Sequence, residues 1–189
     1  MASAKTTERV DARSVLVAAA SRSPDIPDSA DAYGWLVGSW DLEVLTFWAT
    51  DVSSQGLTSE AHFGWALEGR AIQDVWIMPR VQDRTSRLDK KRNMYGTTLR
   101  VWDPSIEAWQ ITWTNPVGDH HERQIGRRVG NDVVQIGTRA NGTTTRWMFS
   151  DITSDSFRWT GEALNLDGRT WTLEGEFRAR RIRPVAGGN

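Results

Sequence analysis

The chain of 189 residues contains no cysteine. That excludes a disulfide framework, a thiolate nucleophile and a cysteine-ligated metal, and it is compatible with a reducing cytoplasm, which is the expected location. No stretch reaches the about 18 consecutive apolar residues that a membrane helix needs. Charge of one sign is missing too: 23 Lys+Arg stand against 24 Asp+Glu, for a formal net charge of -1. No general field therefore draws the protein to nucleic acid or to an anionic membrane. There is no glycine-rich phosphate loop and no metal-ligand spacing, so neither a metal nor another cofactor is expected. Tyrosine is scarce, at two residues, whereas tryptophan reaches eleven. Indole joins a large apolar area to one N–H donor. So many of them suit a core or pocket that packs against flat, partly polar molecules.

The length fits one domain, able to bury about 70% of its unfolded surface without staples. Residues 1–31 differ from the rest. Thr7, Glu8 and the apolar positions from Val10 to Ala20 suggest a short helix of roughly three turns. Glu8 and Asp11 argue against a signal peptide. Pro24 and Pro27 make residues 21–28 a linker. The segment reads either as a frayed tail or as a helix that lids the domain or meets a second subunit. The remainder, 32–189, is one β domain.

From Trp35 onward, short β runs alternate with turn signals. Ten strands are expected, at 40–48, 58–67, 70–78, 95–102, 108–114, 122–129, 132–139, 144–152, 156–164 and 170–180. Glu68-Gly69, Gly130-Asn131, Asn141-Gly142 and Asp167-Gly168 supply residues tolerant of positive φ between them. Connections this short join antiparallel neighbours, and closure of the meander removes its two edges. The expected fold is an all-β, ten-stranded antiparallel up-and-down barrel with a short N-terminal helix.

Alternation defines two faces. One carries Trp109, Ile111, Trp113, Trp147, Phe149, Phe157, Trp159, Trp171, Leu173 and Phe177. The other carries Gln110, Thr112, Arg146, Met148, Arg158, Glu162, Glu174 and Glu176. Placing the aromatic face inside is the simplest arrangement, because burying each ring is worth about 1.5–3 kcal/mol. In the inverse arrangement the interior is polar and the outer aromatic face serves a second subunit, so a homodimer stands among the expected partners. The strands at 70–78 and 95–102 are mixed and do not fix the phase.

The chain resembles lipocalin-like bacterial domains of the calycin group. The residues that carry the likeness are Leu36-Val-Gly-Ser-Trp40 at the mouth of the first strand, Phe63-Gly-Trp-Ala-Leu-Glu-Gly-Arg-Ala71, Tyr95-Gly-Thr-Thr-Leu-Arg-Val-Trp-Asp-Pro104, Trp109 with Trp113, and Asp167-Gly-Arg-Thr-Trp171. The likeness spans about 33 to 181. It implies a calycin barrel with a ligand cavity, and it also implies a late arginine covering the first-strand tryptophan. Arg178 and Arg180 are the candidates to cover Trp40, as a structural contact. The opening and haem-ligating histidine of the nitrobindins find no match.

Several residues are candidates for chemistry. His62 lies opposite Phe63 in the second strand and would serve as a general base or bind a ligand carbonyl, or simply face solvent. His120 and His121, beside Asp119 and Glu122, sit between strands at a rim. Adjacent residues of an extended chain point opposite ways, so a metal shared by the pair needs a bend. His121, His62 and Glu162 form the candidate catalytic set. Trp65, Trp76, Arg100, Trp102, Trp113, Trp147 and Trp159 form the candidate ligand-binding set.

An inward arginine would bind a carboxylate or enolate bidentately and would need a partner when empty, for which Glu162 or Glu174 are placed to serve. A carboxylate buried against tryptophan, such as Asp74 or Glu162, would act as an acid. Residues 80–93 hold six basic and two acidic side chains, a length and polarity that suit a flap over the barrel mouth or a solvated loop. The favoured expectation is a binding barrel for a small hydrophobic or aromatic ligand. The alternative is a cofactor-independent isomerase, cyclase or lyase enclosed in the same barrel.

Overall fold

The computed structural model of the protein describes residues 19–84 and 93–183. Eleven strands follow one another: β1 (Gly38–Phe47), β2 (Thr50–Asp51), β3 (Thr58–Ala66), β4 (Ala71–Met78), β5 (Met94–Asp103), β6 (Ala108–Asn115), β7 (His120–Val129), β8 (Asp132–Thr138), β9 (Thr144–Ser150), β10 (Ser156–Leu164) and β11 (Trp171–Ile182). Each long strand pairs antiparallel with its sequence neighbour, and β11 returns to pair with β1. The two-residue β2 only lengthens the β1 edge. The result is a closed ten-stranded barrel with no unpaired side. Its hairpins turn where the sequence places glycine, with φ of 62° at Gly130, 85° at Gly142 and 65° at Gly168.

The expected N-terminal helix falls mainly on residues outside the described ones. From Ala19 the chain runs across one end of the barrel. The amides of Ala19 and Ser23 bond to the carbonyls of Trp65 and Gly69, each at 2.9 Å. Two short 3-10 turns, Asp28–Ala30 and Gly34–Leu36, then press Tyr33 and Leu36 into the barrel as a plug. Residues 21–28, set apart as a linker by their prolines, thus form part of this floor. Three indole N–H groups tie the floor together by donating to backbone carbonyls: Trp35 to Ala32 at 2.8 Å, Trp40 to Leu36 at 2.7 Å and Trp109 to Ala30 at 2.8 Å. A buried Trp finds such a partner because its donor is costly to leave unmade.

The aromatic face lies inside. Trp109, Ile111, Trp113, Phe149, Phe157 and Phe177 are all buried. Around the floor the rings meet edge to face, as in Tyr33–Trp109 with centroids 5.2 Å apart and Trp40–Phe157 at 4.8 Å. Glycine makes room for this packing: a Cβ on Gly126 would collide with the Tyr33 hydroxyl.

Two expectations about this wall are corrected. Between β10 and β11 the register slips, with Gly161 opposite Gly175 but Glu162 opposite Leu173. The extra residue, Glu174, is a β-bulge that exchanges the two faces of β11. Trp171 and Leu173 therefore leave the interior, and Trp171 instead receives the Arg146 guanidinium 4.3 Å above its ring on the outer wall. Glu174 turns inward. The second correction concerns Trp40, which is covered by Arg181, at 4.1 Å, rather than by Arg178 or Arg180. Strand β11 pairs Arg181 directly with Trp40, whereas Arg178 and Arg180 face outward opposite Glu43 and Asp41.

Candidate functional site

The floor half of the barrel is filled by its own side chains. The other half, toward the ends of β1, β6, β8 and β10, holds a cavity of about 90 Å³ open to water-sized spheres. At about 10–15 Å³ for each water, that is room for roughly six to nine water-sized groups. The walls are Trp76 of β4, Trp113 of β6, Trp147 of β9, Trp159 of β10 and Phe177 of β11, with Met94 of β5. The rings touch in sequence. Centroids lie 6.1 Å apart for Trp113–Trp147, 5.5 Å for Trp147–Trp159, 5.7 Å for Trp76–Trp159 and 5.3 Å for Trp159–Phe177. Trp159 lies against the glycine pair, where a Cβ on Gly161 would come within 2.7 Å of the indole.

Trp48 stands at the rim, half exposed. It and Ala49 occupy the tight turn between β1 and β2 with φ of 48° and 58°, a conformation that side-chain-bearing residues adopt at a cost. The Ala49 amide holds the turn by donating to the Glu174 carbonyl at 2.9 Å. The Trp48 ring lies 5.6 Å from His120 and 5.8 Å from the Arg139 guanidinium.

The polar residues of the cavity form two groups. Deepest is Arg100, which donates through Nη1 to Asp74, itself held by the Thr98 amide at 2.8 Å. The guanidinium is also surrounded by the rings of Tyr33 at 5.1 Å, Phe63 at 5.8 Å and Phe149 at 5.9 Å. Both members of the pair are buried. Its Nε is buried with no hydrogen-bond partner. The arginine that the sequence suggested as an anion anchor is thus already neutralised, by Asp74 rather than by Glu162 or Glu174.

The second group lies at the mouth. Glu122 is buried and accepts hydrogen bonds from Gln124 at 2.7 Å, from Thr145, and from Arg139 Nε at 3.4 Å; His120 Nε2 lies 3.2 Å from it. Arg139 also grips Glu174 with both terminal nitrogens, one at 3.0 Å. Burial disfavours the Glu122 carboxylate, but the contacts from His120, Thr145, Gln124 and Arg139 outweigh it and hold the group below its ordinary value. The Glu174 hydrogen bond, with charge from both glutamates, holds the Arg139 guanidinium above its own. A line of hydrogen bonds connects this group to the floor: Tyr33 O–H donates to Gln135 at 3.1 Å, Gln135 to Gln124 at 2.9 Å, and Gln124 to Glu122. Burial raises the Tyr33 pKa, against the opposing influence of Arg100.

The candidate residues separate cleanly. Trp76, Arg100, Trp113, Trp147 and Trp159 line the cavity. Trp65 is buried toward the floor, where its carbonyl receives Ala19, and Trp102 packs against Trp109 with centroids 6.0 Å apart. Neither lines the cavity. The expected catalytic trio is not brought together. His62 is on the outer wall, bonded to Ser39 Oγ at 2.9 Å. His121 is also outside, 3.4 Å from Thr114 Oγ1. Glu162 pairs outside with Arg146 at 2.7 Å. The cavity histidine is His120. Strand alternation carries the signal for it: His120 shares the pleat of Glu122 and Gln124, and its register partner is Asn115, on the face of Trp113. Arg139 and Trp48 were missed because they sit at a strand end and a turn, and Glu174, named as a partner for an inward arginine, pairs with Arg139 only because the bulge turns it inward. The flap suggested at 80–93 joins β4 to β5 at the mouth end, and its residues 85–92 lie outside the described ones.

Compared by sequence, the chain matches no family model and no curated protein. Among solved structures it is similar to EF1p2_mFAP2b bound to DFHBI, at 13% identity, over 82% of this chain and 100% of that one, with a TM-score of 0.39.

Proposed function

We propose that the protein is a lipocalin-like binding barrel whose mouth cavity holds a small, flat, largely apolar molecule. The observation that supports this reading is the run of touching rings Trp113, Trp147, Trp159 and Trp76 around an open space, in a barrel otherwise filled by side chains. An apolar wall with a few convergent polar groups is the usual form of a small-molecule site. The intrinsic fluorescence of these indoles makes the test direct. The full chain is titrated with an environment-sensitive aromatic dye, and organic extracts of the purified protein are analysed by mass spectrometry. Saturable quenching with one site per chain, lost in Trp147→Leu and Trp159→Leu, supports the reading. Quenching that survives both substitutions places the dye elsewhere and removes the reading.

One observation favours a second reading, a cofactor-independent isomerase, cyclase or lyase. His120 lines the cavity with one ring nitrogen oriented by a buried glutamate, the arrangement of a general base. On this reading His120→Gln abolishes turnover of a bound ligand and leaves its affinity within about threefold. Unchanged turnover excludes it.

A further inference from the structure

We infer that the occupant of the mouth cavity carries positive charge: an organic cation with a protonated amine or quaternary ammonium group on a compact apolar body. This rests on the binding reading above and names the ligand class for the same cavity.

Three observations carry it. First, the guanidinium at the mouth is shared between two carboxylates. Asp74 has Arg100 to itself, but Glu122 and Glu174 share the single guanidinium of Arg139, and Glu174 is the carboxylate that lines the cavity. An unbalanced charge beside a low-dielectric wall is costly and favours a counter-ion. Second, the guanidiniums are taken. Arg139 spends Nη1 and Nη2 on Glu174 and Nε on Glu122. Arg100 is paired with Asp74, and its Nε, though without a hydrogen-bond partner, is buried. An anionic ligand would have to compete with Asp74 for Arg100 and with Glu122 and Glu174 for Arg139. Third, the wall offers the surface a cation prefers. Indole is the strongest of the side-chain rings for cation–π attraction, and cages of such rings are a known solution for quaternary ammonium. The cavity sets Trp76, Trp113, Trp147 and Trp159 around a space next to Glu174. Trp48 already receives one guanidinium at the rim, that of Arg139.

The test compares, by fluorescence titration and calorimetry on the full chain, an isosteric pair of different charge, phenyltrimethylammonium and tert-butylbenzene, and an aromatic anion, benzoate. The expected order is ammonium first, tighter than tert-butylbenzene by about tenfold, with benzoate weakest. Glu174→Gln should erase the tenfold advantage and leave tert-butylbenzene within about twofold, which also reports that the cavity survives. Trp48→Leu, at the exposed rim, should weaken the ammonium alone by about two- to fivefold. Benzoate binding as tightly as the ammonium, or an ammonium preference untouched by both variants, overturns the inference while leaving a binding barrel in place. Failure of all three probes to bind at millimolar concentration overturns the inference and the binding reading together.

Discussion

Arg181 spans the seam where the barrel closes, directly opposite Trp40 in the β1–β11 register, with its guanidinium 4.1 Å above the indole. Its nitrogens donate to the carbonyls of Trp35 at 2.7 Å, Val37 at 2.8 Å and Ser154 at 2.7 Å. One side chain thus joins the plug, the first strand and the β9–β10 loop. Arg181→Met should cost about 2 kcal/mol in urea unfolding, from the lost stacking and the stranded carbonyls. Arg181→Lys should recover less than half, because one ammonium nitrogen cannot reach three separated carbonyls and lie flat on the indole as the guanidinium does. A melt unchanged by either substitution contradicts the role.

The Arg100–Asp74 pair should behave as structure and not as a ligand anchor. Arg100→Met leaves a carboxylate buried without its partner and should cost about 3–5 kcal/mol. The double variant Arg100→Met with Asp74→Leu should regain more than half of that, since both charges leave together. Denaturant midpoints of the two singles and the double decide it.

Gly161→Ala places a methyl group against the Trp159 indole in a packed wall. The expected cost is about 1–3 kcal/mol, with a shift in tryptophan emission as the ring moves into the cavity. Unchanged emission and stability would mean that the wall yields more freely than its packing implies.

Acid should unfold the protein partly through Glu122. Its folded-state value lies below the ordinary 4.5, so the stability it contributes is present above that pH and is lost as pH falls through the lower, folded value. Glu122→Gln should therefore flatten the loss of stability below about pH 4.5 relative to the parent. Urea midpoints between pH 7 and pH 3 measure the difference.

Alkali acts through Tyr33 with the opposite sense. Burial raises its folded value above the ordinary 10.0, so its contribution is complete below pH 10 and declines as pH rises beyond it. Tyr33→Phe should remove that decline while lowering stability at neutral pH, because Gln135 loses its donor. Equal alkaline slopes in the two proteins refute the assignment.

The sequence told much about architecture because its signals were local. Trp109, Ile111 and Trp113 alternate with Gln110, Thr112 and Thr114, and their strand formed with the indoles inside. Gly130 and Gly142 marked turns that formed at those places. What stayed hidden depended on distant chain. No pattern around Glu174 announces a bulge, yet that one residue reverses Trp171 and Leu173 and brings a carboxylate to Arg139. Asp74 and Arg100 lie in mixed strands whose phase is set only by closure of the barrel. The choice between His120 and His121 was legible from the pleat but needed the face of β6 as reference. Arg181 was displaced from the expected Arg178 and Arg180 by register alone.

The row from Tyr33 through Gln135 and Gln124 to Glu122 has a direction. Every donor in it points from floor to mouth: turning Gln124 alone sets oxygen against oxygen at Glu122 and N–H against N–H at Gln135, and turning Gln135 alone sets oxygen against oxygen at Gln124. The row is therefore polarised along its length, its direction set by the Glu122 carboxylate, which only accepts, and closed at the opposite cap by a phenol. Evolution or engineering can consequently retune what the mouth prefers by altering residues that the occupant never touches.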